Sequence, residues 1–354
     1  MTKEESLQLK GIAIMMMLWL HLFGTNEEIL AETSKSIYLH DGEPLIFALR
    51  KVGRMCVVFY TFLGGYGLAK VYQRTPTTAG LGIASGMNNG KRIWNLFKNY
   101  WIVMLLFLIT ATILHPKTYP GNATEFILNV SALSCTYNDT LWFLFPYVLL
   151  TLFAAPIIRL ANMLHGMWLW AAIALAFAIK TISYCINIPF YNLGGIICSN
   201  ILSATGLFFM FFIGALFARD SFMERTVKTV KLSISCSHIT KFLHIGTSTV
   251  CSIMLFLLFV GRTLMGASTL IDPAYIILMI VTFLCIERPK WLNNCLSYIG
   301  KHSTNIWFTH RYLLVLSGTA IAFFKNPVVI LAVLIITCIG FSCVINSILK
   351  TTKR

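Results

Sequence analysis

The chain has 354 residues, 57% of them hydrophobic and 12% charged, with a formal net charge of +15 and a mean hydropathy of +0.75. No soluble domain of that length has a core able to hide so much apolar side chain, so the composition excludes a water-soluble enzyme and indicates an integral membrane protein. The basic excess does not call for nucleic acid, because in a chain that crosses a bilayer repeatedly Lys and Arg collect in the loops that stay in the cytoplasm.

Runs of about 20 apolar residues cross a hydrocarbon layer roughly 30 Å thick. Taken in chain order, such runs fall at 9–24, 53–73, 99–115, 141–162, 167–185, 195–217, 242–260, 268–286, 304–324 and 327–349. The first follows a polar, mixed-charge start, so no cleavable targeting segment is expected. With the N-terminus inside, 19 of the 28 Lys and Arg fall in cytoplasmic segments and 8 in outer ones, with Arg311 inside a span. The expected architecture is therefore all-α: a polytopic helix bundle of about ten transmembrane helices with both termini cytoplasmic, forming a single integral-membrane domain over residues 1–354. No appended soluble domain is expected. Residues 76–92, rich in Gly, Thr and Asn, are expected to be a flexible loop. No internal duplication is visible, which weighs against an inverted-repeat transporter.

Ten cysteines are scattered without a CxxC pair, so no metal site is expected. Cys135 and Cys185 are expected on the same outer side, which leaves open a disulfide or the plainer use of cysteine as a small hydrophobe.

An ionisable side chain at membrane depth is costly, so each one is a candidate for function. In "KGIAIMMMLWLH", residues 10–21, eleven positions separate Lys10 from His21. That is about three turns plus 20°, so both point the same way, roughly 16 Å apart along the axis. Lys10 is equally explained by a stem that snorkels to the headgroups, and His21 by an interfacial hydrogen bond. In "RKVGRMCVVFYTFLGGYG", residues 50–67, cations crowd the outer mouth of the second span, against the orientation rule. Arg54 can pair with Glu27, Glu28, Asp41 or Glu43, or it can clamp a carboxylate, phosphate or developing oxyanion. The glycines at 64, 65 and 67 allow close helix approach. "GKRIWNLFKNYW", residues 90–101, places Lys91, Arg92 and Lys98 at the cytoplasmic surface, as interfacial anchors or as attractors for the phosphates of a nucleotide-type cofactor. In "YIGKHSTNIWFTHRYLL", residues 298–314, Ser303 or Thr304 is expected to cap the ninth helix, with His310 and Arg311 about two turns in.

Together these stretches resemble the acyltransferase 3 family, polytopic enzymes that O-acetylate bacterial surface polysaccharides and related glycans. The family's first-helix pattern of Arg or Lys, ten residues, then His is met by Lys10 and His21. "RMCVVFYTFLGGY" is similar to the family's R-F-x-V-P-x-F-F-x-x-S-G-Y, with Val58 where Pro is common and Gly64 where Ser is common. An Arg-x-x-Arg pair is met as Lys51 and Arg54. "KRIWNLFKNYW" is similar to the family's basic approach to the third helix, with Asn99 where Pro is usual. "TLWFLFPYVLL", residues 140–150, is similar to its LWFL motif and contributes Trp142, and "GKHSTNIWFTH" is similar to its near-terminal Gly, Ser and His block.

The resemblance implies an acyltransferase that takes acetyl-CoA as donor and a saccharide or polysaccharide as acceptor. It works among membrane lipids in a bacterial inner or plasma membrane, without metal or nucleic acid. On that reading His21 is a general base or a covalent acyl carrier. Arg54 stabilises the oxyanion and Lys10 faces the thioester. Lys51, Trp142 and His310 assist in substrate binding, with His310 expected near the donor. Lys91, Arg92 and Lys98 hold the donor's phosphates. The rival reading is a transporter, flippase or polymerase for a lipid-linked saccharide, in which the same cations bind an anionic substrate and acetyl-CoA is irrelevant.

Overall fold

The computed structural model describes residues 1–24, 42–74, 83–186, 192–237, 240, 242, 244–265 and 269–351, with backbone alone for 83–88 and 316–322. Among the described residues the chain is helical throughout and contains no strand. In order, the helices are α1 (Lys3–Phe23), α2 (Leu45–Ala48), α3 (Arg50–Gly53), α4 (Cys56–Arg74), α5 (Ile83–Leu114), α6 (Ala123–Val130), α7 (Leu144–Leu152), α8 (Ala154–Met163), α9 (Gly166–Cys185), α10 (Leu193–Ala218), α11 (Phe222–Cys236), α12 (Thr247–Leu264), α13 (Asp272–Cys285), α14 (Lys290–Ala322) and α15 (Pro327–Thr351). A short 3₁₀ turn, Asp139–Phe143, leads into α7. Local signals account for several starts. Thr2 and Glu5 form a reciprocal capping box at α1, Asn122 and Asn192 cap α6 and α10 through their side chains, and Pro273 sits in the first turn of α13.

Six helical stretches among the described residues are long and apolar enough to cross a membrane: Lys3–Phe23, Asn89–Leu114, Gly166–Cys185, Leu193–Cys236, Thr247–Leu264 and Pro327–Thr351. The pair Asp139–Leu152 and Ala154–Met163, bent by 58°, makes a seventh if taken as one broken span. Length and hydropathy by themselves thus identify six, or seven, of the ten spans expected from the sequence. The shortfall has a physical reason. α13 has only 14 residues, and α4 and α14 carry the Tyr, Thr, Ser, Asn and His side chains that a lipid-facing helix would not tolerate. Two boundaries also differ. α14 begins at Lys290, well before Ser303, so Ser303 lines its interior instead of capping it. α5 begins at Ile83 and runs through the basic segment, which corrects the expected loop over 76–92 for the part that is described.

Two glycine crossings set the bundle's geometry. α1 and α14 touch at Gly11 and Gly300, where a Cβ on Gly300 would overlap the Leu7 carbonyl and one on Gly11 the Leu296 carbonyl. α4 and α10 touch at Gly65 and Gly214, whose added Cβ atoms would overlap the carbonyls of Phe211 and Phe62. Gly64 instead faces Tyr147, and Gly67 faces open space.

Two of the cations expected on the outer side also find structural partners. Arg262 is buried and ion-paired with Asp272, Nη2 to Oδ1 2.9 Å. Lys180 donates to the Thr269 carbonyl at 3.1 Å. A buried charge removed from its partner would cost far more than the pair contributes, so these contacts fix α9, α12 and α13 at one end of the bundle. All ten cysteines are free thiols, Cys135 and Cys185 included.

Candidate active site

α1 and α14 are locked together at Gly11 and Gly300, and from there toward His21 one face of each helix lines a shared space. On α1 the face runs Lys10, Met17, Leu20, His21, and on α14 it runs Ser303, Thr304, Trp307, all of them lining one cavity of about 310 Å³. The spacing is that of one helical face, with residues about three to four or seven apart. Arg54, Tyr60 and Gly64 from the α3–α4 region, Leu96 from α5, and Thr140, Trp142, Phe143 and Tyr147 around α7 close the remaining sides. Tyr60 ties the wall together by donating from its hydroxyl to the Lys10 carbonyl at 3.1 Å. Among the described residues the cavity's lining includes two cations, Lys10 and Arg54, and no carboxylate.

At the His21 end, the His310 ring lies with its centroid 5.1 Å from that of His21, tilted by 40°. His310 is fully buried. Its Nδ1 lies 2.9 Å from the Trp307 carbonyl and 3.2 Å from that of Ile306. Carbonyls only accept, so in the neutral ring Nδ1 carries the proton and Nε2 keeps its lone pair. That Nε2 has no hydrogen-bond partner among the described residues, which marks it as a site with a task outside the static fold. The expected position of His310, about two turns into its helix, is thereby corrected. α14 begins at Lys290, so His310 is twenty residues in, about 30 Å along the helix.

Arg54 caps α3 and is exposed, and its guanidinium makes no hydrogen bond or ion pair among the described residues. The Glu43 alternative goes to Lys51, whose Nζ is 2.8 Å from Glu43 Oε2. Lys51 therefore stands outside the cavity's lining. Glu27, Glu28 and Asp41 lie outside the described residues.

The 3₁₀ turn that carries Trp142 is fastened to α14 at three points. Asn138 donates to the Phe308 carbonyl at 3.2 Å while accepting from the Thr140 amide and hydroxyl. Trp307 Nε1 donates to the Thr140 carbonyl at 3.0 Å. Arg311 forks onto Asp139 through Nε–Oδ1 at 2.9 Å and Nη2–Oδ2 at 3.2 Å. Neither Asn138 nor Asp139 was singled out from the sequence, although an Asn-Asp pair ahead of an apolar run is a helix-start signal.

None of the basic trio on α5 lines the cavity, and Arg92 is exposed but near enough to act on it. Arg92 acts electrostatically on Lys10 and on Tyr147, both of which line it. Lys98 lies over the Trp94 ring, Nζ 5.4 Å from the centroid, and Lys91 is exposed on the surface of α5. Neither belongs to the lining. Among the described residues no cluster of His, Cys, Asp and Glu could hold a metal ion.

Chemically, the arrangement offers a basic nitrogen, a second imidazole behind it, an uncommitted guanidinium and an ammonium about three turns away, all in or beside one pocket. These are the parts that acyl transfer needs: a proton acceptor, an oxyanion partner and a positive site for an anionic donor. No curated protein and no solved structure matches the chain. The family model for acyltransferase 3, described as an acyltransferase domain, matches residues 7–347, nearly the whole length, and the chain belongs to that family of membrane acyltransferases.

Proposed function

We propose that the protein transfers an acetyl group from acetyl-CoA to a hydroxyl of a cell-surface or lipid-linked saccharide. It does so as a multi-pass protein of a bacterial inner or plasma membrane, with about ten helices crossing and both termini in the cytoplasm. The observation that carries this reading is the one cavity shared by Lys10, Arg54 and His21, lined by cations without a carboxylate among the described residues. Lys10 and, beside it, Arg92 give the donor's phosphates and thioester a positive approach from the cytoplasmic end. Arg54 sits at the acceptor end, where its planar fork meets the oxyanion of the tetrahedral intermediate.

Two routes balance. In the direct route His21 takes the proton of the acceptor hydroxyl as its oxygen attacks the thioester carbonyl. The C–S bond then breaks, and the leaving thiolate receives the proton from the imidazolium to give CoA. In the covalent route the His21 nitrogen attacks first, CoA leaves as the thiol, and the acceptor oxygen then displaces the imidazole from the acyl-histidine. In both, His310 stands behind His21 and packs against its ring.

His21→Ala is expected to abolish glycan O-acetylation while the protein remains in the membrane at normal level. Wild-type acetylation in cells carrying that variant would overturn the mechanism. Radiolabelled acetyl-CoA given to the purified protein without acceptor separates the routes, since only the covalent one leaves label on His21.

A further inference from the structure

A second depression adjoins the catalytic cavity at its His21 end. It is an open groove of about 820 Å³ between the segment from α6 to the 3₁₀ turn and the first turns of α10. The indole of Trp142 lines both the groove and the cavity and is 45% exposed, so the two lie on either side of one aromatic wall. Hydroxyl and amide side chains face this groove, among them Thr136, Ser199, Asn200 and Ser203, over a floor of Leu128, Leu133 and Ile196. Asn200 spends its amide N–H groups on the Leu133 and Ile196 carbonyls at 2.9 Å each, which leaves its carbonyl oxygen to accept.

The charge pattern is the reverse of the cavity's. Among the described residues no Lys, Arg or His lines the groove, and its ionisable oxygens belong to Glu125 and Asp139. Asp139 is neutralised by Arg311. Glu125 accepts from the Thr136 hydroxyl at 2.7 Å and, among the described residues, makes no ion pair. CoA, with its phosphates, is repelled here and drawn to the Lys10 end. The occupant that suits apolar floor, flat indole and ring of neutral hydrogen-bonding groups is one whose surface alternates C–H faces with hydroxyls.

We infer that this groove is the acceptor's docking subsite, that it takes an uncharged, hydroxyl-rich saccharide segment next to the residue being acylated, and that Glu125 excludes anionic sugars. The inference rests on the acyltransferase reading above, and it adds where the acceptor lies and which charge class it has.

The test uses the full chain in a deletion strain complemented with variants, with surface glycan analysed by mass spectrometry and membrane level by immunoblot. The expected result is an acyl group lost on deletion from an uncharged sugar residue. Trp142→Ala and the groove-filling Ser199→Phe should each lower its occupancy about tenfold at unchanged protein level, while Trp142→Phe, which keeps an aromatic face, stays within about threefold. If the deletion-sensitive acyl group sits on a uronate or phosphorylated sugar, or if Ser199→Phe and Trp142→Ala leave occupancy at the wild-type value, the groove assignment is overturned and the acyltransferase reading stands. A deletion that removes no acyl group overturns that reading itself, and the groove with it.

Discussion

Gly53→Ala is a sharp probe of the site because Gly53 precedes Arg54 and packs against the turn of α1 that leads to His21. A Cβ at this position would lie 2.7 Å from the Met16 carbonyl oxygen and 2.9 Å from Leu20 Cβ, with Leu20 Cα at 3.3 Å. An ordinary C···O approach is about 3.3 Å and an ordinary C···C approach about 3.5–4.0 Å. The Arg54 segment and α1 must therefore separate by roughly 0.6–1 Å, since the contacts are to backbone and to the root of a side chain. Overpacking of this size costs about 1–3 kcal/mol in stability. The larger effect is on function, because the displacement lies between two of the groups that share the cavity, and a misplacement near 1 Å costs about 10²-fold in rate. The assay is acetyl transfer by solubilised protein, with thermal unfolding measured alongside. Gly67→Ala is the matched control: nothing lies within 4 Å of its added Cβ, and helix propensity alone predicts a gain of up to about 1 kcal/mol. Wild-type turnover in Gly53→Ala would refute the claim that Arg54 and His21 act at one point in space.

Two further substitutions address the roles of single groups. Arg54→Lys keeps the charge and loses the planar fork, and is expected to lower kcat about 10²-fold with little change in donor KM, as removal of one oxyanion donor does; near-normal turnover would demote Arg54 to a surface charge. His310→Leu is expected to lower kcat at least about tenfold with stability retained, and His310→Gln, which restores a donor toward the Trp307 carbonyl, to recover part of it; equal activity in all three proteins would remove His310 from the mechanism.

The sequence made the helical architecture legible because membrane spans announce themselves by composition, and α1, α10 and α15 fall close to where hydropathy puts them. The count was less legible for the same reason. α4 and α14 trade hydropathy for the side chains that line the cavity, so these two of the site's helices look least like spans. Within the site, the eleven-residue step from Lys10 to His21 correctly anticipated a common face, since that is helical arithmetic. The matching stripe of Ser303, Trp307 and His310 follows the same arithmetic and could have been read the same way. What could not be read was which helix pairs with which. The 5.1 Å approach of His21 to His310, the Asp139–Arg311 fork and the choice of Glu43 by Lys51 instead of Arg54 all depend on tertiary packing.

The pairing of α1 with α14 bears on how the protein comes into being. α1 leaves the ribosome well before α14, since the groove that receives its Gly11 ridge and the imidazole that faces His21 are made nearly three hundred residues later. α14 is itself poorly apolar, and its Asn305 reaches Asn99 on α5 at 2.5 Å and Ser342 on α15 at 2.8 Å. Its place in the bundle is thus stabilised by neighbours made before it and by the strongly apolar α15 that follows. The reactive centre closes only once α14 has been made, so a chain that stops short of it, though well anchored in the membrane, carries no competent site to waste the donor.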